Sequence, residues 1–361
     1  MATIGEIYQA IDTFAPFDTQ MDFDNSGLLI GASSDPVTGV LVALDVTSAV
    51  VEEAREKGCN LIVSHHPVIF HPLKRIASDD MVYKLIANSI GVISAHTNFD
   101  VAPFGVNTAL ADAMGVQNPR PLKPYRPEHV YKLVVFVPRD NANALMAAMA
   151  DAGAGEMGNY RECAFYSEGT GQFRPLSGAN PAVGSIGNLE TVEETRLEVL
   201  CTKENLPAVV ASMKRAHPYE QPAYDILENH AVQAALAEGL VGELEQPIEP
   251  KTLVEKVKSV LRCERVKFLC GNRPVVTLAL CGGAGSNLLF DAAGQADAFL
   301  TAEVKHHEWL AAKEMGLTLI DGGHFPTENL AMEPLKQRLS QAFPKLNFIL
   351  SETHRDPVEF L

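Results

Sequence analysis

The sequence predicts an α/β fold in which one discontinuous α/β domain holds an inserted ferredoxin-like α+β domain. Three observations carry this. Short, continuous apolar runs alternate with amphipathic segments over residues 1–124 and again over 239–361, the pattern of buried parallel strands joined by helices. The texture changes between them, over 125–238, to half-exposed strands and Gly/Ser/Asn-rich stretches. And several apolar runs end in histidines or acids, at the strand ends where open α/β sheets bind ligands.

In chain order, Ile4, Ile7, Ile11 and Phe14 have helical spacing. The polar turn Asp22-Phe-Asp24-Asn25-Ser-Gly27 feeds a short strand. Residues 40–44 read as a buried strand ending in Asp45. Ser48 is placed as the cap of a helix that Gly58 stops. Leu61-Ile-Val-Ser-His65-His66-Pro67 is a strand that ends on two imidazoles. Helix is expected over 80–90, strand over 91–95 running into His96 and Asp100, and helix over 107–114 closed by Gly115. Pro121, Pro124 and Pro127 are read as a linker.

The insert shows strand at 130–137, helix at 141–152, strand fragments near 163–166, strand at 193–201 and helix at 205–216. A further strand follows His217-Pro-Tyr-Glu. This β-α-β-β-β-α-β order suggests a ferredoxin-like module. After a second linker at 239–250, helix 251–261 and strand 275–280 precede Cys281-Gly-Gly-Ala-Gly285-Ser286. Strand 297–301 leads to Glu303, His306 and His307. Strand 317–320 leads to Asp321 and His324. Thr327 is placed as the N-cap of a helix from Glu328 to 343, with a last strand at 345–351.

A net charge of −16 argues against nucleic acid or an anionic membrane as main partner. No apolar run approaches the length of a membrane span and no signal peptide is expected. The six scattered cysteines read as reduced thiols, and a cytoplasmic location is expected.

Adjacent histidines on an extended backbone point to opposite faces, so two metal ions, one per imidazole, fit them better than one. Asp45, His65 with His66, His96 with Asp100, and Asp321 with His324 and Glu328 are candidates at four strand ends. A glutamate at Glu328 can bridge two ions, which repel each other unless a carboxylate stands between them. His96 and His307 read as neighbours of ligands or of substrate, and Asp45 and Glu303 as groups that orient a ligand histidine or as plain loop acids. The glycine run 282–285 lacks the Lys-Ser/Thr of a P-loop and reads equally as a tight turn. His71 and His217 are given no role.

Asp24-Asn25-Ser-Gly27-Leu-Leu-Ile-Gly31, Ser64-His65-His66-Pro67, Ala95-His96-Thr97-Asn-Phe-Asp100, and Asp321-Gly-Gly-His324 with Glu328 together resemble the motifs of the NIF-three-like dinuclear metal-centre family. Its members are often labelled GTP cyclohydrolase I type 2 homologs. Phe23 stands where a tryptophan is expected. The insert resembles the PII/CutA-like domain of longer bacterial members. The resemblance implies a homohexamer with paired divalent ions facing a cavity. It implies His65, His66, Asp100, His324 and Glu328 as ligands, with Glu328 bridging. Zinc heads the metals, with Mn, Fe, Co and Ni also compatible.

Two readings follow. In one, the protein is a metal-dependent hydrolase of a small molecule such as GTP, acting through a metal-bridging water, with His96, His307 or Glu303 moving the proton. In the other it is a non-enzymatic metal-binding assembly with a regulatory or docking role.

Overall fold

The structure is a computed structural model and describes residues 2–125, 130–157, 160–203, 205–229 and 236–359. It divides into two compact units, one of Met1–Arg126 with Ala234–Leu361, the other of Pro127–Gln233.

The first segment of the discontinuous unit runs α1 (Ile4–Phe14), β1 (Gly27–Ile30), β2 (Val40–Ala43), α2 (Ser48–Glu56), β3 (Leu61–Ser64), α3 (Met81–Ala87), β4 (Gly91–Ser94), α4 (Thr97–Val101), α5 (Val106–Met114) and β5 (Val116–Pro124). The inserted unit runs β6 (Val130–Pro138), α6 (Ala142–Ala150), β7 (Ala164–Phe173), β8 (Glu190–Thr202), α7 (Leu206–Ala216) and β9 (Tyr224–Asn229). The closing segment runs β10 (Ala237–Ile248), α8 (Pro250–Leu261), β11 (Lys267–Leu269), β12 (Val275–Leu280), α9 (Leu289–Ala293), β13 (Ala298–Thr301), α10 (His306–Met315), β14 (Thr318–Asp321), α11 (His324–Asn329), α12 (Met332–Ala342) and β15 (Phe348–Leu350).

The discontinuous unit contains two sheets, not one. The first has the order β1-β4-β3-β2-β15, parallel except for β1. Its strands are apolar on both faces because both faces are covered. Val40, Val42, Leu61 and Val63 pack with Ile4, Ile7 and Ile11 of α1 and with Leu335 and Leu339 of α12. Leu41, Ala43 and Ile62 turn the other way, onto Val50, Val51 and Ala54 of α2 and Leu85 of α3. Burying each such side chain contributes about 1.5–3 kcal/mol.

The second sheet has the order β11-β14-β13-β12-β10-β5, with only β12, β13 and β14 parallel. Leu278, Leu300 and Ile320 face α5 and α8, and Ala279, Phe299 and Leu319 pack on the opposite side with Leu289 and Ala312. Register aligns the parallel strand ends. Ala43, Ser64 and Ser94 stand abreast in one sheet, Thr301 and Asp321 in the other.

Both expected linkers are strands. β5 and β10 pair antiparallel, and β5, with its three prolines, lies at the sheet edge. An edge strand tolerates missing N–H groups on its open side, which is why a proline-rich stretch still joins a sheet. Pro127 falls outside the described residues. Thr47, not Ser48, caps α2, its hydroxyl accepting from the Val50 N–H at 3.3 Å.

The inserted unit has, among the described residues, one strand fewer than the expected order, and forms a four-stranded antiparallel sheet, β7-β8-β6-β9. Leu133, Val135, Leu197 and Val199 bury one face against Leu145 and Met149 of α6 and Val209 and Met213 of α7. His217 is neutral and structural here. Its Nε2–H donates to the Phe136 carbonyl at 2.9 Å and its Nδ1 accepts from the Tyr219 N–H at 3.0 Å.

Candidate metal centre

His65 and His66 leave β3, His96 and Asp100 follow β4, and Asp45 follows β2, so register alone brings them to one edge of the first sheet. His324 and Glu328 come from α11, just beyond β14. Thr327 was expected to cap a helix there, but α11 begins at His324 and a separate helix, α12, starts at Met332. Thr327 therefore lies inside α11. Its hydroxyl donates to the Gly323 carbonyl at 2.8 Å and accepts from the Gly283 N–H at 3.0 Å.

Four imidazoles converge. Ring centroids of His65 lie 5.0 Å from His66 and 5.2 Å from His96, and His66 lies 5.3 Å from His324. Each uses Nδ1 to hold an oxygen outside the cluster. His65 holds the Ala95 carbonyl at 2.8 Å, His66 holds Asp45 at 2.7 Å, His96 holds Asp24 at 2.8 Å, and His324 holds Glu303 at 2.7 Å. With the proton on Nδ1, the Nε2 lone pair is free to bind a metal, the arrangement that orients metal-ligating histidines.

Glu328 lies at the centre, its side chain 4% exposed. Oε2 is 3.1 Å from His66 Nε2 and 3.2 Å from His324 Nε2. Oε1 is 3.8 Å from His65 Nε2, which is itself 3.5 Å from Asp100 Oδ1. The donor atoms therefore gather into two overlapping groups, His66/His324/Glu328 and His65/Asp100/Glu328, and His65, His66 and His96 form a third.

These residues fit divalent ions on three counts. His65 Nε2, Asp100 Oδ1 and Glu328 Oε2 are buried polar atoms with no hydrogen-bond partner, an arrangement that costs stability unless something binds them. Imidazole and carboxylate donors are the set that Zn, Mn, Fe, Co and Ni accept. And the backbone makes room for the carboxylate. Gly283 has φ +62°, and a Cβ there would stand 2.0 Å from Glu328 Oε1. The glycine run after β12 thus serves close packing against Glu328.

The electrostatics are those of a tightly packed set of opposite charges. Burial disfavours the charge of His66, but its contacts with Asp45 and Glu328 outweigh it and push the imidazole up to about 10. His324 is pushed up to about 9, first by Glu328, against a smaller effect of burial. Burial would raise Glu328, yet the surrounding imidazoles hold it well below the usual carboxylate range. Asp100 is raised, mainly by burial.

Among residues proposed to move protons, His96 reaches the cluster and Glu303 touches it through His324, in a left-handed backbone conformation with φ +55°. His307 lies exposed in the first turn of α10 and shares no hydrogen bond or ion pair with the cluster among the described residues. Sequence reasoning gave Asp24 no role, although it stood in a quoted motif. Its fully buried carboxylate accepts from Thr97 N–H at 3.0 Å, Thr97 Oγ1 at 2.6 Å and Ser26 Oγ at 2.8 Å besides His96. Burial works against its charge, but these bonds hold its carboxyl far below the usual range.

Two cavities open on the cluster. One of about 600 Å³ reaches His66 and His324 past Asp45, Lys267 and Glu303. The other, of about 450 Å³, reaches His96, Asp100 and Glu328 past Phe23 and Asn107.

Fold and site together define a mixed α/β protein with a histidine–carboxylate centre able to hold metal. The profile described as Duf34/NIF3 (NGG1p interacting factor 3) matches residues 2–357, and the chain belongs to that family. Among curated relatives, a Bacillus subtilis protein named GTP cyclohydrolase 1 type 2 homolog is 36% identical, covering 99% of this chain and 98% of its own. A Halalkalibacterium halodurans protein of the same name is 34% identical, covering 98% of each. Among solved structures, the Staphylococcus aureus protein SA1388 is similar at a TM-score of 0.82 and 32% identity, and a Bacillus cereus protein related to NIF3 at 0.73 and 36%, each over 99% of both chains. Among the described residues, no helix is long and apolar enough to cross a membrane.

Proposed function

We propose that the protein is a dinuclear divalent-metal hydrolase of the GTP cyclohydrolase I type 2 kind, acting on a nucleotide or related small molecule. The observation that carries this is the position of Glu328, whose two oxygens turn toward different sets of donors. His65, Asp100 and Glu328 would hold one ion, and His66, His324 and Glu328 the other. When bound, two such ions would supply a nucleophilic water at neutral pH and polarise the bond to be broken. The chain's own part is to fix that arrangement. Asp45, Asp24, Glu303 and the Ala95 carbonyl lock the imidazole orientations, and burial of Glu328 keeps bulk water from competing. His96, whose ring lies 5.2 Å from that of His65 and 5.4 Å from that of His66, would take up a proton at Nε2 and return it to a leaving atom. The two cavities admit a ligand from either side.

Zinc as the resident ion, a homohexamer and a cytoplasmic location belong to the same reading and rest on family membership. The ferredoxin-like reading of the insert is supported by its β-α-β-β-α-β order and by the central placement of β6 and β8.

The test is turnover. Protein loaded separately with Zn, Mn, Fe, Co and Ni is incubated with GTP and with a panel of phosphoesters and cyclic amides. Metal-dependent product that disappears in His324→Ala and Glu328→Ala supports the hydrolase. Tight metal retention with no turnover on any of them favours the non-enzymatic assembly.

A further inference from the structure

The sheet of the inserted unit uses only one face for its helices. Leu133, Val135, Val137, Leu197, Val199 and Cys201 point to α6 and α7. Strand alternation sends Phe136 of β6 and Glu194 of β8 to the opposite face. There a cavity of about 490 Å³ is lined by Phe136, Gln172, Phe173, Glu194, Tyr219 and Glu220, among others, with no Lys, Arg or His in its wall.

Glu194 differs from the acids around it. Glu193 pairs with Arg139 at the surface, and the half-buried Glu198 pairs with Lys132 and Arg196. Glu194 is only 9% exposed and has no ion pair among the described residues. Burying a carboxylate without a cation is costly, so a built seat for one needs a reason. The seat is built. A Cβ on Gly171 of β7 would stand 2.1 Å from Glu194 Oε2, so the glycine is what lets the carboxylate lie there.

Beside it the Tyr219 hydroxyl is buried, with the Glu194 carboxylate as its neighbour and no partner in good hydrogen-bond geometry. Burial first, and then the nearby Glu194 carboxylate, push that phenol up to about 12, so it stays protonated. The ring of Phe173 meets Tyr219 edge-on at 5.6 Å. The Glu220 carboxylate adds a second negative charge, its oxygens 3.3 and 3.4 Å from the Asn180 N–H.

We propose that this cavity binds a small organic cation, a primary ammonium on an apolar body. Its N–H groups donate to the Glu194 carboxylate and the Tyr219 oxygen, and the rings of Phe136, Phe173 and Tyr219 hold the apolar part. Such rings also attract a cation placed over their faces. None of the residues that line it belongs to the metal centre, and it would make the insert a ligand-sensing module in its own right.

Isothermal titration of the full chain at pH 7 with benzylamine, and with the neutral isostere benzyl alcohol, tests this. Benzylamine is expected to bind about tenfold or more tightly than the alcohol, the difference one charge-assisted hydrogen bond makes. Glu194→Gln is expected to remove that difference, and Tyr219→Phe to weaken amine binding severalfold. Equal affinity for amine and alcohol on the unmodified chain overturns the proposal, as does undiminished amine binding by a folded Glu194→Gln chain. If Glu194→Gln does not fold, Tyr219→Phe decides, and amine binding equal to the unmodified chain overturns the proposal.

Discussion

His324 and Glu328 stand one turn apart on the same short helix, with Nε2 and Oε2 3.2 Å apart. The (i, i+4) spacing puts both on one helical face, and the second oxygen of Glu328 then turns toward His65. One side chain therefore serves both donor groups. Glu328→Asp, shorter by one methylene, is expected to bind about one ion per chain instead of two, read by metal analysis after gel filtration. Two ions retained in a folded Asp variant would remove Glu328 as the bridge.

The outer contacts of the imidazoles should matter nearly as much as the donors. Asp45→Ala and Glu303→Ala are each expected to lower metal affinity about 10–100-fold, because His66 and His324 lose the acceptor that fixes their orientation. Competition against a chromogenic chelator measures this. Unchanged affinity would mean the bonds do not orient the ligands.

Asp24 is expected to be structural first. Asp24→Asn replaces a buried charge that accepts from His96, Thr97 and Ser26. A loss of about 2–3 kcal/mol in urea unfolding is expected. A change under 0.5 kcal/mol would contradict the role given to this network.

Glu53 supplies a pH signature away from the centre. Its carboxylate ties α2 to the tail, accepting from Ser351 Oγ at 2.6 Å, Thr353 Oγ1 at 2.7 Å and Glu352 N–H at 3.0 Å. Burial would raise it, but these bonds and Lys57 bring it from the ordinary 4.5 down to about 2. A depressed folded-state pKa stabilises the fold fully above about 4.5, and that contribution fades as pH falls toward 2. Glu53→Gln is thus expected to cost about 2 kcal/mol at pH 7 and progressively less below pH 4.5. A cost independent of pH between 7 and 3 would contradict it.

Much of the centre was legible because strand ends are easy to see. Apolar runs that stop on His65-His66 and on His96 need only parallel register to bring their ends together, and register follows from burial on both faces, whereas Asp321 ends a strand of the other sheet and register does not tie it to them. What local pattern could not give was anything decided by tertiary packing. The start of α11 at His324 follows Gly323 with its φ of +86°, and Thr327 is held inside that helix by its contact with Gly283 across 44 residues. The prolines of β5 read as linker because their tolerance comes from an edge that only pairing with β10 creates. Asp24 lies 72 residues from His96, so no spacing ties the two together. Glu194 was invisible for the same reason, since its seat depends on a glycine on the neighbouring strand.

The most direct measurement is metal content per chain, by plasma mass spectrometry, on protein purified without chelator and on the His65→Ala and Glu328→Ala variants. Close to two transition ions per chain is expected, falling sharply in both variants. Protein that carries none, and takes up none when Zn, Mn or Fe is added, would contradict a dinuclear centre at Glu328.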